Sequence, residues 1–212
     1  MSWKYFVVVC LGVLLAWNAP AVAAEEGPVT AQLRPVVDRI IAVVTDPSMQ
    51  GLGKRQLRRE RVMIIAHERF DFEEMSRRVL GTAWRDRSPE ERRHFVARFT
   101  QLLEHAYIGR LEAYSGQAVE YQRERVKDDR AELQTLVREQ GKEIPMNYIL
   151  RRLGDQWMIY DVIIEGVSLV RNYMEQFQGI LQKEGYAALL QQLEERIKTL
   201  EKESTAVEKK KA

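Results

Sequence analysis

The apolar positions of this chain change period twice. From Val29 to Asp46, the residues Leu33, Val36, Val37, Ile40, Ile41 and Val44 recur at three- and four-residue spacing, which predicts an amphipathic helix with Pro35 near its start. Pro47 to Gly53 is a turn-rich break, after which Leu57, Val62, Ile64 and Ile65 carry a second helix toward Phe70. Asp71 then offers a cap for a third helix, Phe72 to Leu80, which Gly81 stops. Ser88-Pro89-Glu90-Glu91 is a strong start signal, because serine accepts from the free backbone donors, proline suits the first helical position and the second glutamate closes a capping box. The stripe that follows, Phe95, Phe99, Leu102, Leu103, Ala106, Tyr107, Leu111 and Tyr114, is broad enough to face a sheet, and Ser115-Gly116 ends it.

The period then shortens to two. Val119 and Tyr121 alternate with Glu120, Gln122 and Glu124, and three further strands are expected at Ala131 to Glu139, Ile144 to Leu153 and Gln156 to Ile164, separated by short polar turns at Gly141-Lys142 and Gly154-Asp155. The last two strands are apolar on both sides, Met146, Tyr148 and Leu150 opposite Ile149, and Met158, Tyr160, Val162 and Ile164 opposite Trp157, Ile159 and Ile163, as expected of a sheet covered on both faces. Beyond Gly166 the helical period returns, Ser168 to Lys183 and then Tyr186 to about Glu203. The fold class is α+β: a four-stranded antiparallel meander packed with N- and C-terminal helices.

Composition narrows the picture. Residues 1–23 read as a cleavable export signal, an apolar run from Tyr5 to Trp17 followed by Ala21-Val22-Ala23, too short to span a bilayer at about 18 residues or more. Residues 24–204 form one domain, and 205–212 a charged, flexible tail. The single cysteine, Cys10, falls within the signal, so thiol chemistry and disulfides are excluded from the mature chain. With 33 basic against 31 acidic residues and only Lys4 inside the signal, the mature chain is near neutral, which disfavours nucleic acid as a partner.

Candidate chemistry is sparse. His67, His94 and His105 fit no metal pattern and read as boundary packing. Ser168 reads as a helix cap, since Gly166-Val167-Ser168 lacks the second glycine of a nucleophile elbow. Asp161 interrupts an apolar strand and is expected either to sit at a polar edge or to make a satisfied internal hydrogen bond, with general-base work as the competing role. The run Lys54-Arg55-Gln56-Leu57-Arg58-Arg59-Glu60-Arg61 reads as a solvated helix face, with anionic headgroups or an acidic partner as the alternative. No catalytic residue, metal ligand or cofactor is assigned. The abundance of aromatic surface is compatible with a filled core or with a cavity, which sequence alone does not distinguish.

Phe70-Asp71-Phe72-Glu73-Glu74-Met75-Ser76 with Leu80-Gly81-Thr82-Ala83-Trp84-Arg85, then SPEERRHFVARFTQLLEHAYIGRLEAY and WMIYDVIIEGVSLVRNYMEQFQGIL, closely resemble the MlaC-like, or toluene-tolerance, periplasmic phospholipid-binding proteins. The likeness spans nearly all of the mature chain in order and spacing. It implies a soluble carrier of glycerophospholipid, not an enzyme, with the acyl chains held in an apolar pocket between sheet and helices. Its implied partners are an inner-membrane ABC transporter, through its substrate-binding ring subunit, and an outer-membrane lipoprotein complex. The residues expected to line that pocket are Phe99, Leu103 and Tyr107 of the long helix, Tyr148, Leu150, Met158, Tyr160 and Val162 of the sheet, and Val167, Tyr173, Phe177 and Ile180 of the return helix. Trp84 and Arg85 are expected to brace the helix junction, with a role at the docking face or pocket mouth as the alternative, and Met174 stands where the family commonly has a basic residue.

Two other classes compete. A hydrolase acting through Asp161 and a histidine would turn over an ester or glycoside. An interaction scaffold would use the stripe Leu189, Leu190, Leu193, Ile197 and Leu200 as a partner-binding surface without bound lipid.

Overall fold

The structure is a computed structural model that describes residues 26–112, 117–139 and 141–211. The expected signal, residues 1–23, and the Ser115-Gly116 helix end lie outside these residues. Helix α1 (Pro28–Thr45) begins with a proline in its first turn, where the missing N–H has no intrahelical partner to lose. Its free donors are capped from the sheet: the Glu124 carboxylate accepts from the Val29 and Thr30 amides at 3.3 and 2.8 Å and from the Thr30 hydroxyl at 2.7 Å. A Cβ on Gly27 would overlap that carboxylate, so the approach requires glycine.

Helices α2 (Arg55–His67) and α3 (Phe72–Leu80) follow, and the Asp71 carboxylate accepts from the Glu74 amide at 2.9 Å to start α3. The long helix α4 (Pro89–Glu112) opens with the reciprocal cap expected from its sequence: the Ser88 amide donates to the Glu91 carboxylate at 2.8 Å, and the Glu91 amide donates to the Ser88 hydroxyl oxygen at 3.2 Å. Strands β1 (Ala118–Lys127), β2 (Arg130–Glu139), β3 (Lys142–Leu153), β4 (Gln156–Ile164) and β5 (Val167–Ser168) form one antiparallel meander in chain order. Helices α5 (Leu169–Lys183) and α6 (Gly185–Lys211) close the chain, α6 continuing past Glu203, where the apolar pattern fades.

The sheet has five strands, not the four expected. Strand β5 is two residues long, too short for alternation to register. Its turn uses Glu165 at φ 51° and Gly166 at φ 83°, the paired left-handed residues of a tight hairpin, and glutamate is an unusual residue for that role.

A second correction concerns the faces of β4. Ile149 pairs with Asp161 and Leu150 with Ile159, so Tyr160 is an extra residue in a β-bulge, and the parity of the strand reverses there. Trp157, Ile159, Val162 and Ile164 therefore share one face, while Met158 and Tyr160 lie on the other. The expected grouping of Met158, Tyr160, Val162 and Ile164 fails for that reason.

Two large hydrophobic clusters result, besides a small one of Val44, Val62 and Ile108 that joins α1, α2 and α4. In one, Val29 and Leu33 of α1 pack on Ala131, Leu133, Leu150, Trp157, Ile159 and Val162 of the sheet. In the other, helices α3 to α6 pack around Phe72, Met75, Val79, Trp84, Phe95, Phe99, Phe177, Leu189 and Leu193. They meet at Phe70, which touches both, and the linker is fixed to β4 by the Asp71 amide donating to the Ile159 carbonyl (2.8 Å) and the Ile159 amide to the Arg69 carbonyl (2.7 Å).

Candidate functional site

The sheet face under α1 is apolar beyond the helix that covers it. Gln32 anchors α1 at one end of that face: its amide nitrogen donates to the Asp155 carbonyl at 2.9 Å, and its amide oxygen accepts from the Trp157 amide at 3.0 Å. Past this footprint Met146, Tyr148 and Ile164, all half-buried, continue the same face, with Tyr121 at its β1 edge beneath Arg34 of α1. Burial raises the Tyr148 phenol above its ordinary range, with Thr135 beside it offsetting only part of the effect.

The residues expected to line a pocket fall into separate places. Leu150 and Val162 are buried in the sheet cluster, with Tyr148 at its margin. Phe99, Leu103 and Phe177 are buried in the helical cluster, and Tyr107, Tyr160, Tyr173 and Ile180 pack against it. There the rings fill space against one another: Phe99 meets Tyr173 edge-on at 5.3 Å and Phe177 at 6.0 Å between centroids. Burial, reinforced by Tyr107, pushes the Tyr173 phenol up to about 12. Met158 lies opposite Arg151, turned away from the α1 side. Val167 is 61% exposed.

Thus the twelve divide between the two large clusters, with Met158 and Val167 outside both. A small cleft of about 200 Å³ lies between the clusters, lined by Tyr107, Ile164, Glu165, Val167, Leu169 and Asn172; it contains two of the twelve. A larger one, about 590 Å³, lies between α3 and α4 near Trp84, Val96 and Thr100, and contains none of them. Tyr121, Met146 and Ile164, absent from the expected set, belong to the half-buried margin of the sheet cluster. Tyr121 and Met146 could have been found by carrying the alternation of Tyr148 and Leu150 across the ladder, because Thr135 pairs with both of them.

The polar candidates prove to be architectural. Asp161 accepts from the Ser168 hydroxyl at 2.5 Å and the Val170 amide at 3.0 Å, and Ser168 in turn accepts from the Arg171 amide at 3.0 Å, so both residues cap α5. Arg58 and Arg59 are buried, contrary to the solvated face expected of the basic run: Arg58 donates to the Met49 carbonyl at 2.7 Å and Arg59 to the Ser204 hydroxyl at 2.8 Å. Trp84 is buried, and Arg92 donates to the Trp84 and Arg85 carbonyls at 3.1 and 3.2 Å, bracing the helix junction. His105 meets Glu201 at 3.3 Å, and His67 packs against the Phe72 ring.

A cluster of charges joins the helices to the sheet. Arg151 of β3 donates to the Asp71 carboxylate at 2.7 Å and lies 3.5 Å from that of Glu74, which also receives Arg77 and Arg78 at 2.7 and 2.8 Å. Burial opposes the charge on Glu74, but the two arginines outweigh it and hold the carboxyl below its ordinary range. Arg78 also lies 4.0 Å from the Tyr160 ring centroid, tying α3 to β4.

Comparison with known proteins places this arrangement. The profile of the family described as MlaC protein matches residues 34–195. The intermembrane phospholipid transport system binding protein MlaC of Haemophilus influenzae is 27% identical over 124 residues, 56% of this chain and 58% of the relative. The toluene tolerance protein ttg2D of Pseudomonas putida is 25% identical over 118 residues, 54% of this chain and 55% of its own. The chain thus spans somewhat more than half the length of these curated relatives. A phospholipid-binding protein from Ralstonia solanacearum, solved in complex with a phospholipid, superposes with a TM-score of 0.72 at 26% identity, covering 81% of this chain and 98% of that one.

Proposed function

This chain belongs to the MlaC protein family, and from that premise we propose that it is an exported phospholipid carrier of the periplasm, holding acyl chains against the apolar face of its sheet. The observation that carries the reading is the continuation of that face past α1, through Met146, Tyr148 and Ile164, where a β-sheet that only supported a core would turn polar. The phospholipid complex of the Ralstonia solanacearum protein, which shares the fold, supports the choice of ligand.

A carrier answers a definite physical need. At about 0.8 kcal/mol per methylene, two chains of ~16 carbons oppose leaving a bilayer by roughly 25 kcal/mol. A protein that offers a comparable apolar lining nearly cancels this term and allows both loading and release. The cleft of about 200 Å³ beside Tyr107 and Ile164 is below the ~300–1,000 Å³ of ordinary ligand pockets, so seating two chains requires α1 to part from the sheet. On this reading the lipid enters beside Ile164, and the helical cluster acts as the rigid frame against which the sheet face opens.

The carrier would take phospholipid from one membrane complex and deliver it to another, with the ring subunit of an inner-membrane ABC transporter and an outer-membrane lipoprotein complex as its docking partners. Its chemistry is packing and not catalysis. Extraction of the purified protein followed by mass spectrometry is expected to yield phospholipid in near-stoichiometric amount, and Ile164→Trp is expected to reduce it severalfold while the protein stays folded. Protein purified free of lipid, and unable to take it up from vesicles, would overturn the proposal.

A further inference from the structure

Tyr121 lies on edge strand β1 beside a second bulge, where Tyr121 pairs with Thr135 and Arg123 with Gln134. Its ring packs against the sheet cluster, with the Arg34 guanidinium 4.0 Å from the ring centroid. Its hydroxyl oxygen is buried and has no hydrogen-bond partner among the described residues. Buried tyrosine hydroxyls ordinarily find one, because an unmet donor in apolar surroundings is costly.

The neighbours do not supply it. Thr135, opposite in the ladder, donates its proton to the Met146 carbonyl at 3.0 Å, and Arg34, itself a donor, is engaged with Glu26. Burial raises the Tyr121 phenol, so it remains a neutral donor throughout the physiological range. The result is a neutral hydroxyl without a hydrogen-bond partner among the described residues, set beside the Tyr148 phenol and within electrostatic reach of Arg34, Asp38 and Glu26.

We propose that Tyr121 is the polar contact of the acyl-chain site, its hydroxyl donating to an ester carbonyl oxygen of the bound diacyl lipid. This inference rests on the carrier reading above. A largely apolar wall whose unpartnered polar group is a neutral donor matches the region where fatty chains meet glycerol, whose carbonyls are uncharged acceptors at the head of long hydrocarbon. A phosphate oxygen would bring a charge in need of water or a free cation, and the nearest guanidinium is already paired. The bulge beside Tyr121 fits this role, since such irregularities re-aim a side chain at a ligand.

A site built around a hydrogen bond discriminates against analogues lacking a good acceptor, because the buried group is then left unmet. The purified protein, stripped of lipid, is offered an equimolar mixture of diester and diether phosphatidylglycerol of equal chain length, and bound lipid is counted by mass spectrometry. The diester is expected to be enriched by about 5- to 10-fold, and Tyr121→Phe is expected to take the two in equal amounts. The same preference for diacylglycerol over dialkylglycerol identifies the carbonyl as acceptor. A preference that appears only when phosphate is present overturns that assignment, as does equal uptake by the native protein or a preference that survives Tyr121→Phe. Failure to load any lipid would instead overturn the carrier reading itself. Lipid-free Tyr121→Phe is expected to melt no lower than the native protein, since it removes an unmet hydroxyl; a marked drop would assign Tyr121 a structural role and reject the proposal.

Discussion

Glu74 shows how a charged side chain can be buried in this protein and still stabilise it. It is 3% exposed and survives there because Arg77, Arg78 and Arg151 surround it. Its carboxyl is depressed in the folded state, so its stabilising contribution is present above the ordinary carboxylate value of 4.5 and is lost as the pH falls through the lower folded value. Thermal melts in acid are therefore expected to show stability declining below about pH 4.5, and Glu74→Gln is expected to flatten that decline. Because Arg77 and Arg78 keep contact with water, the cost of Glu74→Gln at neutral pH should be about 2–3 kcal/mol, at or below the low end for a broken buried pair. Asp161 lends itself to a parallel test. Asp161→Ala removes the acceptor of both Ser168 and Val170, which should lower stability by ~1–2 kcal/mol in denaturant titrations and leave lipid content unchanged; loss of a hydrolytic activity would instead support the enzymatic alternative.

The boundaries of α3 and β4, Phe72–Leu80 and Gln156–Ile164, follow from local chemistry: a capping aspartate, a stopping glycine, and polar turns around an apolar run. The start of α4 is equally local, and Ser88→Ala is expected to cost about 1 kcal/mol in equilibrium unfolding. What pattern could not supply was the sense of the apolar residues within an element. The strand bulge at Tyr160 comes from the pairing of Ile149 and Leu150 with Asp161 and Ile159, a relation between two strands that neither strand encodes alone. Similarly, the arginines of α2 looked solvent-facing because their partners are remote: Ser204 lies 145 residues from Arg59 along the chain. Truncation after Lys198 removes that partner, and a loss of ~1–2 kcal/mol in stability with unchanged lipid content is the expected result; lost lipid would show that α6 contributes to the binding site.

The two large clusters form a helical frame and a sheet face, and substitutions should separate them. Phe99→Ala in the helical cluster, where the ring is fully buried, is expected to destabilise by about 3–5 kcal/mol, whereas Met146→Trp, on the half-buried sheet face, should change lipid loading more than stability. If Phe99→Ala empties the protein of lipid without unfolding it, the helical cluster and not the sheet lines the site. The order of the helices and of the four long strands and the family likeness could be read from the chain, because periodicity, capping and turn residues act over a few neighbours. Tertiary structure alone decided which apolar side chains meet each other and which remain open. That outcome depends on strand register, on the bulges that invert it and on the ion cluster at Asp71, Glu74 and Arg151 that fixes helices to sheet, all of which join residues far apart in sequence.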